Sequence, residues 1–128
     1  MAKLMYELVG NRGRSMKVYD NKVVILTKPS VGSFLSSNST DGEKTIFLID
    51  VVGVQFKKTG LTIGYLQLET ASAQMNNQSS NQFSENTFTF DSNLDANVEE
   101  VYNYIVNRIE FFKYGSVTQD ISEALPVL

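Results

Sequence analysis

The chain contains no cysteine and no histidine. Without cysteine neither a disulfide framework nor a thiolate metal site is possible, and the redox compartment leaves no trace in the composition. Without histidine the usual acid and base at neutral pH, and the commonest metal ligand, are missing as well. Long apolar runs are also absent. "MAKLMYELVGNRG" holds no signal-peptide core, and no later stretch approaches the roughly 18 apolar residues of a membrane span. These absences lead to the expectation of a soluble, cytoplasmic protein. Oxygen-bearing side chains alternate in "SNSTDGEK", faintly as in a calcium loop, but the bidentate acid that closes such a loop would fall on Leu48. A serine nucleophile would lack its histidine, and the adjacent Glu99 and Glu100 are better explained by capping and the helix dipole. No enzyme, no metal and no cofactor are therefore expected.

What is present is an apolar fraction of 42% in 128 residues, enough for one domain with a real core. The net charge is only −3, but it is unevenly placed. Through Gly60 nine basic residues stand against five acidic ones, and from Leu61 onward two stand against nine. Such polarity suits an anionic ligand on the first half or association between unlike surfaces, and it also suits ordinary solvated faces that intermix on folding.

Strand patterns fill the first two thirds. "MKVYDNKVVIL" alternates around Asp20-Asn21, two residues that tolerate positive φ, and predicts a tight hairpin. "PSVGSFLSSNSTDG" is turn-rich, with Phe34-Leu35 expected to pin a short turn to the core. "KTIFLIDVVGVQFKK" predicts two strands bent near Asp50, with Val52, Val54 and Phe56 on one face and Gln55 and Lys57 on the other. In "FKKTGLTIGYLQLE" apolar residues occupy both faces. A bend at Gly64 between two sheets would put Ile63 inward before it and Leu66 and Leu68 inward after it. "SAQMNNQSSNQFSEN" has no period and predicts a loop before the short strand "TFTF".

The last element is a helix. Asn97 and Glu100 have the spacing of a capping box, and Val98, Val101, Tyr102, Ile105, Ile109 and Phe112 recur at three and four. At about 100° per residue Tyr104 and Phe111 fall outside that stripe. After the helix, Val117, Ile121 and Leu125 recur at fours, so the final segment and a neighbouring subunit are both candidates to cover the aromatic pair. Several strands followed by one amphipathic helix predict a mainly β fold, either a roll of antiparallel strands capped by the helix or a sheet with the helix across it.

"GNRGRSMKVYDNKVVI", "GSFLSSNSTDGEKTI", "VVGVQFKKTGLTIGYLQLE", "SENTFTF" and "EEVYNYIVNRIE" together resemble the bacterial pleckstrin-homology-like domain that often precedes a short C-terminal domain. The likeness covers about Val9 to Phe112. It implies a partly open roll of two near-orthogonal sheets capped by the helix, with residues 1–114 as the domain and 115–128 as a tail too short for the usual appendage. It also implies assembly into rings, with no established ligand.

On this reading the expected function is a non-catalytic protein-interaction and self-assembly module. Its partners are copies of itself or a protein or peptide, met through Tyr104, Arg108, Phe111 and Tyr114. The alternative is an anionic ligand or lipid headgroup held by Arg12, Arg14, Lys17 and Lys22. Eukaryotic pleckstrin homology domains cradle phosphates with a long basic hairpin loop, which the tight Asp20-Asn21 turn lacks, so membrane binding is disfavoured. Those cations also suit a solvated edge that discourages strand addition. Nucleic acid is not an expected partner: Tyr19, Phe56, Lys57, Lys58 and Tyr65 are the available platform, but Phe56 is in phase with the core and the isoelectric point is near 4.9.

Overall fold

The computed structural model describes residues 2–28, 42–71 and 85–115. The Phe34-Leu35 turn, all but Glu85 and Asn86 of the Asn/Gln-rich loop before "TFTF", most of "SNSTDGEK" and the segment after Gly115 lie outside these residues. Among the described residues seven strands, all paired antiparallel, form two sheets. The first sheet has the order β1 (Leu4–Val9), β2 (Arg14–Tyr19), β3 (Lys22–Thr27), β4 (Gly42–Phe47), and the second the order β5 (Val51–Lys57), β6 (Gly64–Thr70), β7 (Thr87–Phe90). Helix α1 (Asp95–Tyr114) closes the fold. This is the mainly β architecture with one C-terminal helix that the pattern predicts.

The period-2 signal accounts for most of the first sheet. Arg14, Met16 and Val18 are buried on one face of β2 while Ser15, Lys17 and Tyr19 take the other. The hairpin forms with Val18 opposite Val23, as expected. Its Asp20-Asn21 turn uses no positive φ; among the described non-glycine residues only Arg12, in the preceding turn, has one, at 57°. A 3₁₀ turn at Leu48–Asp50 carries the chain from β4 to β5, where the bend was expected, and the Leu48 N–H donates to the Asn21 carbonyl (3.0 Å).

Leu66, Leu68, Phe88 and Phe90 meet Met16, Val18, Val23 and Ile25 in one core, and Val98, Val101 and Ile105 of α1 complete it. Each such side chain contributes about 1.5–3 kcal/mol on full burial. Phe88, Phe90, Phe56 and Tyr102 stack in a column with successive centroids 6.1, 6.4 and 5.3 Å apart. The helical stripe is as the spacing predicts: its three aliphatics through Ile105 are buried, and Tyr102, Ile109 and Phe112 pack around the margin. The two sheets approach each other where the β1–β2 turn meets β7. There the Asn11 N–H donates to the Thr89 carbonyl (3.1 Å), and at Gly10 a Cβ would collide with that same carbonyl.

Three expectations are corrected. In β5 the pairing shifts register between Val51 and Gly53, so Val51 enters the core and Val52 is turned out, 64% exposed. A bulge adds a residue and breaks the alternation that had put Val52 inward with Val54 and Phe56. At the helix start, Leu94 occupies the cap position without a side-chain bond, and the helix begins at Asp95 rather than after Asn97. The Asp95 carboxylate accepts the Thr59 N–H (3.1 Å), and Glu100 accepts from Tyr6 instead of closing a capping box.

The third correction concerns Gly64, which begins β6 opposite Phe90 and does not carry the strand from one sheet to the other. β6 is paired along both edges and is buried on both faces from Gly64 to Leu68. Leu66 and Leu68 face the common core, while Gln67 on the opposite face donates to the Thr87 hydroxyl (2.9 Å) in a buried polar layer. Glycine is required at position 64 because a Cβ would lie 2.7 Å from two atoms of the Phe90 ring and 2.8 Å from the Lys57 carbonyl. Gly64→Ala should therefore lower stability by about 1–3 kcal/mol through overpacking. Gly60→Ala, where a Cβ meets nothing within 4 Å, should stay within about 0.5 kcal/mol of the parent. Equal denaturant midpoints for the two variants would contradict this account.

Candidate functional site

Contacts with β1 and with the β2–β3 turn help to fasten α1 to the sheets, and they decide which aromatics remain outside. Near its start, Tyr6 of β1 donates its hydroxyl to Glu100 (3.0 Å). Tyr104 meets the Tyr6 ring edge-on, with centroids 5.4 Å apart. Tyr104 is thus half-buried under β1 and packs on the core margin, which corrects its placement on an outer stripe with Phe111. Near the other end, the Arg108 Nε donates to the Asp20 carbonyl in the β2–β3 turn (2.8 Å). The same guanidinium lies 4.8 and 4.9 Å from the Phe111 and Phe112 ring centroids, an arrangement favoured by the ring quadrupoles. Arg108 is therefore a tie between helix and hairpin as well as a member of the helix-end surface.

Phe111 and Tyr114 are left exposed, at 44% and 71%. They do not stand alone. Ile49, in the 3₁₀ turn that packs on α1, is 59% exposed, and the bulged Val52 shares a groove of about 320 Å³ with Tyr114. Val54, Val106 and Ile109 also line that groove, with Glu110 and Lys113 on its helical side. Beside it runs the outer edge of β5. Among the described residues β5 has a single neighbour, β6, so the backbone groups on its other side have no sheet partner. An apolar groove next to an unpaired strand edge can take up polypeptide by two routes at once, side-chain burial and ladder hydrogen bonds. Ile49 and Val52 are the residues that sequence reasoning missed. The signal for Val52 was the glycine in "VVGV", since a glycine inside a strand pattern marks a bulge.

The alternative anion site is dispersed by the fold. Arg14 lies on the core face of β2 and donates from Nη1 to the Thr87 carbonyl; burial lowers its pKa first, with the Arg12 charge acting the same way and Glu85 opposing. Lys17 is on the opposite face, Arg12 sits in the exposed β1–β2 turn, and Lys22 lies over the Tyr19 ring at 5.0 Å. One ligand cannot meet cations on both faces of a strand. The proposed stacking aromatics are similarly engaged: Phe56 is in the core column, and Tyr65 is buried.

Among the described residues no three acidic side chains are grouped to hold a metal ion, and no helix is long and apolar enough to cross a membrane. Comparisons with protein-family models, with curated proteins and with solved structures found no match.

The Tyr6–Glu100–Tyr104 cluster has a consequence for pH. The Tyr6 pKa is raised, first by desolvation and then by its hydrogen bond and charge contact with Glu100; the Tyr104 pKa is raised by burial, with Arg108 opposing and Asp20 adding. Groups with raised folded values stabilise fully below the unfolded pKa, and that contribution is lost as pH rises through the folded value. Stability should therefore fall above about pH 10, and Tyr6→Phe should make the fall shallower. Chemical denaturation between pH 8 and pH 11 checks this; an unchanged slope in Tyr6→Phe would contradict it.

Proposed function

We propose that the chain is a non-catalytic interaction module of the bacterial pleckstrin-homology-like kind, and that it assembles with copies of itself through the corner where the end of α1 meets the β4–β5 turn. The observation that carries this reading is the exposure of Phe111 and Tyr114 at the end of α1, and of Ile49 and Val52 where the β4–β5 connection packs on the helix. Large apolar side chains left exposed on a small domain are candidates for a contact surface, and aromatics beside an arginine are the residue types that anchor such contacts. The excess of cations in the first half of the sequence and of anions in the second favours contact between unlike faces, which closes into a ring when the rotation permits. A peptide partner would use the same corner.

Light scattering on the purified chain at tens of micromolar should give an oligomeric mass. Phe111→Glu combined with Tyr114→Glu should give a monomer with the parent circular dichroism, because neither residue belongs to the buried core. A monomeric parent, or a double variant that keeps the parent mass, would overturn the proposal.

A further inference from the structure

We infer that the apolar groove between β5 and α1 receives Leu61 from a second copy of the chain, so that copies join head to tail. The inference rests on the self-association reading and deepens it: a contact between unlike faces needs a second face, and Leu61 at the tip of the β5–β6 turn supplies one.

The turn is built to present this side chain. Leu61 is fully exposed, more so than any other large apolar residue among those described. A single exposed leucine is ordinary on a protein surface, but a leucine on a loose loop can fold back onto its own domain, and this turn is tied. At its base the Thr59 N–H donates to Asp95 of α1 (3.1 Å) and Lys58 pairs with Glu99 (3.1 Å). At its tip the Gly60 N–H donates to the Thr62 carbonyl (3.0 Å). Leu61 is thus held out in advance, and little conformational freedom is lost when it is buried in a partner.

Its own groove is out of reach. Asp95 and Glu99 place the start of α1 beside the turn, whereas the groove lies at the other end of β5, between Val52 and the second half of the helix. The seven residues of β5 extend about 23 Å at about 3.3 Å each, several times the reach of a leucine side chain. A neighbour's Leu61 meets no such limit. The groove has the chemistry and the room for it: Val52, Val54, Val106 and Ile109 are aliphatic, and the volume of about 320 Å³ exceeds the roughly 150 Å³ in which an apolar cavity accepts benzene. Because tip and groove lie at opposite ends, every copy offers both, and the contact repeats from one copy to the next.

Charge agrees with this seating. Lys58 is already paired with Glu99, so the exposed Lys57 is the cation that the tip offers. Glu110 is exposed on the helical wall of the groove and stands as its acidic counterpart. Lys113, on the same wall, favours an approach from the Glu110 side.

The chain's lack of cysteine permits a direct test. Full-length Leu61→Cys is mixed with an equal amount of full-length Val52→Cys or Val106→Cys, one on each wall of the groove, and oxidised at tens of micromolar. A disulfide requires Cα atoms about 4.4–6.8 Å apart. The expected product is a mixed dimer, formed by at least one of the two pairs in excess of either homodimer, and at least tenfold more abundant than with Val9→Cys, exposed at the end of β1. Homodimers alone, no disulfide in either pair, or an equal yield with Val9→Cys would overturn the inference. Light scattering gives a second reading that needs no disulfide. Leu61→Glu should run as a monomer with the parent circular dichroism, and Leu61→Met should keep the parent mass. A Leu61→Glu chain that keeps the parent mass, where Phe111→Glu with Tyr114→Glu dissociates it, would overturn this inference and retain self-association. A monomeric parent would overturn both.

Discussion

The fold depends on one packing contact, the row Val98, Val101 and Ile105 of α1 closing the core that holds Leu66, Leu68, Phe88 and Phe90. Two small antiparallel sheets each need one face covered, and here they meet at a seam around Gly10 and Asn11 that leaves the interior to be closed by something else. The helix closes it. Its position is then fixed by hydrogen bonds from Thr59 to Asp95, from Tyr6 to Glu100 and from Arg108 to Asp20, which span its first fourteen residues. Twenty residues extend about 30 Å, longer than the core it covers, so the turns beyond Ile105 pass from burial to margin to solvent. The exposed helix end is a consequence of that excess length, and so is the groove it forms with β5.

Much of this architecture was legible in the sequence. The Asp20-Asn21 hairpin, the break near Asp50, the short "TFTF" strand and the helical stripe all follow from periodicity, because one buried face imposes it. Val52 escaped because alternation assumes an unbroken ladder and a bulge resets it. Gly64 was assigned a bend because its strand is apolar on both faces. The actual reason lies across the sheet, in the ring of Phe90, which no local pattern reports.

The candidate site divides in the same way. Helical phase alone placed Phe111, which is exposed, outside the stripe. It misplaced Tyr104 because phase counts angles around one helix and says nothing about β1, whose Tyr6 covers that side. Arg14 was grouped with its charged neighbours although it shares the inward parity of Met16 and Val18; the hydrogen bond to a carbonyl offsets part of the cost of taking its charge out of water.

The central claim is that the end of α1 and the β4–β5 turn form the surface through which copies meet. Backbone amide shifts recorded while the protein is diluted from millimolar to low micromolar concentration test it residue by residue. The account predicts changes in Phe47–Gly53 and Arg108–Gly115. Changes centred on Arg12, Lys17 and Lys22, or a spectrum independent of concentration throughout that range, would contradict it.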